Sequence, residues 1–160
     1  MLSSIQALTL GLLVSFAAHG QKYDGPRPPK PDIPYLVHAD NLIPCEAAEA
    51  KQSDVKEDTV YTVPAPSSPA RTPLAEPIFL IQTEKLSAEK MELYRLEVKD
   101  GSRRIVFPKK KKKDSPRPLL ILVTQLAPAL YRLEANETLE NGEYSLTPAG
   151  SNEVFCFQVY

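Results

Sequence analysis

The chain is expected to be all-β, a single Greek-key β-sandwich of about seven to eight strands. Three observations lead there. Sixteen prolines and no tryptophan in 160 residues argue against a helical bundle. Short runs rich in β-branched and aromatic residues recur between Pro- and Gly-containing breaks, at the spacing of sandwich strands. Asp100-Gly101, finally, lies between two alternating runs, the pattern of a two-residue hairpin turn. A chain of this length makes one domain of ordinary size.

The amino-terminal end reads as an export signal. Residues 7–18 are apolar and uncharged, and Ala18-His19-Gly20 precedes Gln21. Small residues one and three places before a cut fit a signal peptide over residues 1–20, cleaved after Gly20. The apolar run is short for a bilayer span, which needs about 20 residues. No Lys or Arg precedes it, so the α-amino group alone carries the leading charge. The alternative is a buried amino-terminal helix. Export places the mature chain in a secreted or periplasmic setting, with no transmembrane segment. Residues 21–34 hold prolines at 26, 28, 29, 31 and 34 and read as a disordered, semi-stiff linker. Their Pro-x-x-P spacing also suits proline-recognition domains, but those are mainly cytosolic.

The sandwich is expected over residues 35–160. Residues 35–39 make a first strand, and the polar, acidic residues 41–58 a loop, since no apolar stripe would dock them. Residues 58–63 are a second strand. The proline-rich residues 64–77 are a surface crossover between sheets. Residues 77–81 form a buried strand, and Ser87 caps at most one helical turn. Pairing outward from Asp100-Gly101 sets Val98 opposite Arg103, Leu96 opposite Ile105 and Tyr94 opposite Phe107, on one largely apolar face. Glu97 and Arg104 pair on the other. Residues 119–123 are apolar on both faces, as a central strand would be, and residues 130–135 alternate. Phe155, Phe157 and Val159 point inward from a last strand.

Between these, Leu139, Gly142 and Tyr144 lead into another strand. That spacing resembles the tyrosine corner of immunoglobulin-like sandwiches. The resemblance implies that the Tyr144 hydroxyl bonds back to the chain a few residues upstream, fixing an arch between two sheets. With the leading apolar run and the proline segment, the chain is also similar to small secreted bacterial proteins. That likeness carries over no site residues.

Three features bear on chemistry. Lys109, Lys110, Lys111, Lys112 and Lys113 run together, and residues 103–117 hold eight basic side chains against Asp114 alone. The overall charge of −1 then leaves the rest of the chain acidic. With Arg117 these lysines are candidates for an anion site, for lipid phosphates, acidic polysaccharide or non-specific nucleic acid. Sequence-specific nucleic-acid reading is not expected, because the run has no interleaved aromatics. The plainer reading is a solvated loop whose charge keeps a sheet edge from pairing with neighbours. Second, Cys45 and Cys156 are candidates for a disulfide in an oxidising compartment, closing a loop of about 110 residues worth up to about 4–5 kcal/mol. Cys156 alternates with the inward phenylalanines and could equally just fill space. Third, His38 is the one imidazole beyond the signal, so zinc sites built on His pairs and most His-dependent nucleophile systems are not expected. No Gly-x-Ser-x-Gly or phosphate-cradling glycine loop occurs. Asn136-Glu137-Thr138 is a glycosylation sequon, used only in a glycosylating cell.

No catalytic residue, metal or cofactor is therefore expected. The sequence points to an exported, non-enzymatic envelope or secreted module, binding or structural, meeting a protein, a glycan or an anionic envelope component. The competing class is a carboxylate hydrolase acting on envelope or extracellular glycans. An outer-membrane barrel fits poorly, since the prolines interrupt too many strands and Gln158 would face lipid.

Overall fold

A computed structural model of the protein describes residues 22–160, so the expected signal peptide lies outside the described residues. These residues form two antiparallel sheets and almost no helix. The first sheet has five strands, in the spatial order β10 (Ile121–Ala127), β11 (Leu130–Ala135), β7 (Ile78–Gln82), β1 (Tyr35–His38) and β2 (Asn41–Pro44). The second runs β3 (Glu46–Glu49), β13 (Glu153–Val159), β12 (Gly142–Pro148), β8 (Met91–Lys99), β9 (Ser102–Pro108), β5 (Asp58–Pro64) and β4 (Lys51–Val55). An eighth strand, β6 (Arg71–Thr72), pairs parallel with the end of β13.

The two outermost strands of the larger sheet, β3 and β4, are consecutive in the chain and separated by Ala50 alone. One continuous stretch thus pairs with β13 through its first half and with β5 through its second. The sheet returns on itself as a curled half-barrel, which leaves fewer free edges. β8 turns the opposite corner, pairing with β12 over residues 91–96 and with β9 over residues 97–99.

The face of β13 and β12 that meets the five-stranded sheet carries the main core. Tyr144, Leu146, Phe155, Phe157 and Val159 pack on Leu36, Phe79, Ile81 and Leu133. Phe157 stacks on Tyr144 at 5.6 Å and meets the edge of Phe79 at 4.9 Å, so three rings join the two layers. The inward set expected for the last strand is the one observed. The Tyr144 hydroxyl donates to the Glu140 carbonyl at 2.7 Å, and the ring is buried. Inside the curl, on the other face of β13, lies a second cluster of Ala50, Val63, Leu96, Val154 and Cys156.

Several expectations change. Residues 41–58 are not a loop but supply β2, β3, β4 and the start of β5; main-chain pairing to β1, β13 and β5 substitutes for the apolar stripe they lack. The apolar run at 119–123 is not central. Its strand, β10, is the edge of the smaller sheet, and Leu120 and Leu122 are exposed. The connection from β5 to β7 is more than a surface crossover, because Ser68, Ala70 and Thr72 are buried along it. At the end of the proline segment, the Asp32 carboxylate accepts from the amides of Glu84, Lys85 and Leu86, which ties that residue to the domain. The hairpin register holds for the three pairs nearest the turn, and beyond Glu97–Arg104 the strands part. There Leu119 bridges to β8 instead, its amide donating to the Leu93 carbonyl at 2.7 Å.

Candidate functional site

Three places gather polar or aromatic side chains in a way that bears on function. The first is the lysine loop. Lys109 to Lys113 follow β9 on the crossover that carries the chain to β10 in the other sheet, and all five are exposed. The loop is shaped by its backbone: Lys109 donates to the Glu57 carbonyl at 2.8 Å, and the Lys112 amide to the Ser115 hydroxyl at 2.8 Å. No carboxylate pairs with any of the five ammonium groups among the described residues. Arg117 is different. Its guanidinium holds Glu137 through two bonds of 3.0 Å, and Glu137 also accepts from the Leu120 amide at 2.7 Å. Those contacts, the Arg117 bonds first, hold the Glu137 carboxyl down at about 2. Arg117 is thus engaged in anchoring the far end of the crossover, and the lysines are the cations left facing outward.

The second place is the closed end of the curl. Arg103, expected at the tip of an apolar face, is wholly buried. It donates to both oxygens of Glu46, at 2.6 and 2.9 Å, and to the carbonyls of Pro64 and Ala65, at 2.7 and 3.1 Å. Glu143 lies 3.8 Å away and accepts from the Ser68 amide, while its second oxygen, Oε1, has no partner among the described residues. Desolvation outweighs the Ser68 amide and Arg103 and raises the Glu143 pKa. At Glu46 desolvation is outweighed by Arg103, and the pKa falls. The Ser68 hydroxyl closes the network on the Cys156 carbonyl at 3.1 Å. A bidentate guanidinium here ties β9 to β3 and to the end of β5 with the loop that follows it.

Cys45 and Cys156 are unbridged. They belong to different buried clusters, Cys45 with the main core and Cys156 inside the curl, and Cys156 pairs across β13 and β3 with Glu46, the neighbour of Cys45 in the chain. Burial pushes the Cys45 thiol well above its usual range and the Cys156 thiol up to about 12. Unreduced protein, once denatured, is expected to titrate two thiols per chain, with neither reacting readily while folded. A denatured count of zero would establish the bridge instead.

The third place was not legible in the sequence as a site. Where β8 and β9 part, a cleft of about 480 Å³ opens inside the curl, lined by Tyr94 and Leu96 of β8, Ile105 and Phe107 of β9, and Tyr61 of β5. Phe107 meets the rings of Tyr94 and Tyr61 edge to face, at 5.6 and 5.9 Å. Glu92, Thr147 and Asn152 lie around it. The one sequence signal was the apolar face shared by Tyr94, Leu96, Ile105 and Phe107, which reads equally well as core.

His38 stands exposed at the end of β1. Among the described residues no three His, Cys, Asp or Glu side chains gather as a metal group, and no helix is long and apolar enough to cross a membrane. Comparison with protein-family models, with curated proteins and with solved structures gives no match.

Proposed function

We propose that this chain is an exported, non-enzymatic β-sandwich module that contacts an anionic partner through its lysine loop. The observation that carries the reading is five adjacent, exposed ammonium groups on a crossover loop, without carboxylate partners among the described residues, on an otherwise acidic chain. Such a patch attracts polyanions through counterion release, with affinity that falls steeply with salt. Export rests on the apolar residues 7–18 and the small residues before Gln21, with cleavage after Gly20. The Tyr144–Glu140 arch supports an immunoglobulin-like relationship for the closing strands, a fold often used for binding.

Binding is favoured over a carboxylate hydrolase by where the acidic side chains meet. Glu46 and Glu143 converge on Arg103 at the closed end of the curl, where the guanidinium engages Glu46 and the Ser68 amide engages Glu143. A glycosidase pair must instead flank an open sugar site.

Heparin resin tests the proposal. The native chain is expected to elute near physiological salt, about 0.15 M. A variant with Lys109 to Lys113 changed to glutamine should elute far earlier with an unchanged circular-dichroism spectrum. Elution of the native chain at very low salt, together with the variant, would remove the site.

A further inference from the structure

The cleft between β8 and β9 lies inside the curl, apart from the lysine loop, and it has the opposite character. We propose that it binds a small organic cation, a protonated amine or methylated ammonium on an apolar body, between the Glu92 carboxylate and the rings of Tyr61, Tyr94 and Phe107.

A cleft of about 480 Å³ falls in the size range of small-molecule sites, and it exists because β8 leaves β9 after Glu97 to stay with β12. The parting ends the β8–β9 ladder at Glu97–Arg104, while the Tyr94 and Phe107 rings still meet edge to face beyond it. Strand residues make up most of the lining, and Gly150–Asn152 of the turn between β12 and β13 complete it.

The lining is aromatic. Three aromatic rings stand at right angles or nearly so, Phe107 against Tyr94 at 89° and against Tyr61 at 81°. Rings so arranged cannot all stack on one flat ligand, but they can each offer a face or an edge to a compact group. Glu92 is the one charged residue lining the cleft, and no Lys, Arg or His pairs with it among the described residues. The Tyr94 hydroxyl donates to its Oε2 at 3.0 Å. That bond fixes the carboxylate against the ring box and orients it. Desolvation and the adjacent carboxylate together push the Tyr94 pKa up to about 12, so the phenol remains a donor across the physiological range.

Charge decides the ligand. A lone carboxylate with a donated hydrogen bond repels anions and gains little from a neutral hydrocarbon. A cation gains the carboxylate and the negative faces of the rings together, the arrangement by which aromatic boxes hold ammonium groups. Leu96, Ile105 and Val154 behind the rings offer apolar surface for the rest of the molecule.

The test uses the full chain and three probes of similar size and different charge: benzyltrimethylammonium, benzyl alcohol and phenylacetate. Each is titrated while backbone amide shifts are followed by NMR. The cation is expected to bind most tightly and phenylacetate least, with shifts centred on residues 92–96 and 105–107. Glu92→Gln should weaken the cation by about tenfold and leave benzyl alcohol within about twofold, and Phe107→Leu should weaken the cation by several-fold. Equal binding of cation and alcohol, shifts centred away from residues 92–96 and 105–107, or no saturation by the cation would each overturn the proposal. Should Glu92→Gln fail to fold, the order of the three probes on the native chain decides alone.

Discussion

Replacing Phe157 with alanine is expected to destabilise the protein by about 3–5 kcal/mol, the usual cost of removing a buried phenyl ring. Phe157 has no exposed surface and sits between Tyr144 and Phe79, so its loss leaves a cavity at the point where the two sheets meet. The surrounding strands cannot collapse into it without breaking the pairing of β13 with β12 and β3. A domain whose total stability is about 5–15 kcal/mol would lose a large fraction of it. Urea unfolding checks this through the midpoint at unchanged slope. A shift of less than about 1 kcal/mol would mean that the rings do not join the layers as described.

Arg103→Met is expected to cost a similar amount, about 3–5 kcal/mol at neutral pH, for an electrostatic reason. The guanidinium satisfies Glu46 and the carbonyls of Pro64 and Ala65 and stands 3.8 Å from Glu143. A methionine fills much of the space but leaves those acceptors without a donor and two carboxylates without a counter-charge. The pH dependence carries the sharper test. In the native chain the Glu46 pKa is lowered, so its contribution is complete above the ordinary carboxylate value of about 4.3 and is lost as pH falls through the folded one. The Glu143 pKa is raised, so its ionisation costs stability as pH climbs from the ordinary value through the folded one. Without Arg103, Glu46 joins Glu143 as an unpaired acid in poor solvent, and both favour the protonated form. The stability gap between native and variant should therefore narrow as pH is lowered from 7 to 5. A gap that is constant over that interval would show that Arg103 acts by packing alone.

Much of the fold could be read from local pattern. The hairpin at Asp100-Gly101 pairs Val98 with Arg103 and Glu97 with Arg104 as alternation requires, and the Tyr144 arch follows from the spacing of Leu139, Gly142 and Tyr144. Burial was less legible wherever it depended on partners. Leu120 and Leu122 look like the middle of a sheet and lie exposed on an edge strand, whereas Arg103 looks like a hairpin tip and is sealed inside. The aromatic cleft was hidden for the same reason: Tyr94, Phe107 and Tyr61 have the composition of a core, and only the way the larger sheet curls, with β8 leaving β9, sets them around an open cleft.

By itself, then, the order of residues determined most strand-forming segments outside residues 41–55, the Asp100-Gly101 turn, the inward face of the last strand and the clustering of positive charge at 109–113. These depend on period, turn chemistry and adjacency, which are properties of neighbours in the chain. The tertiary structure alone decided that residues 46–55 pair with β13 and then with β5, curling the larger sheet, and that Arg103 and Glu46 meet while a cleft opens inside the curl. Those outcomes come from pairings between segments far apart in the chain, where backbone hydrogen bonds select a partner that no local pattern names.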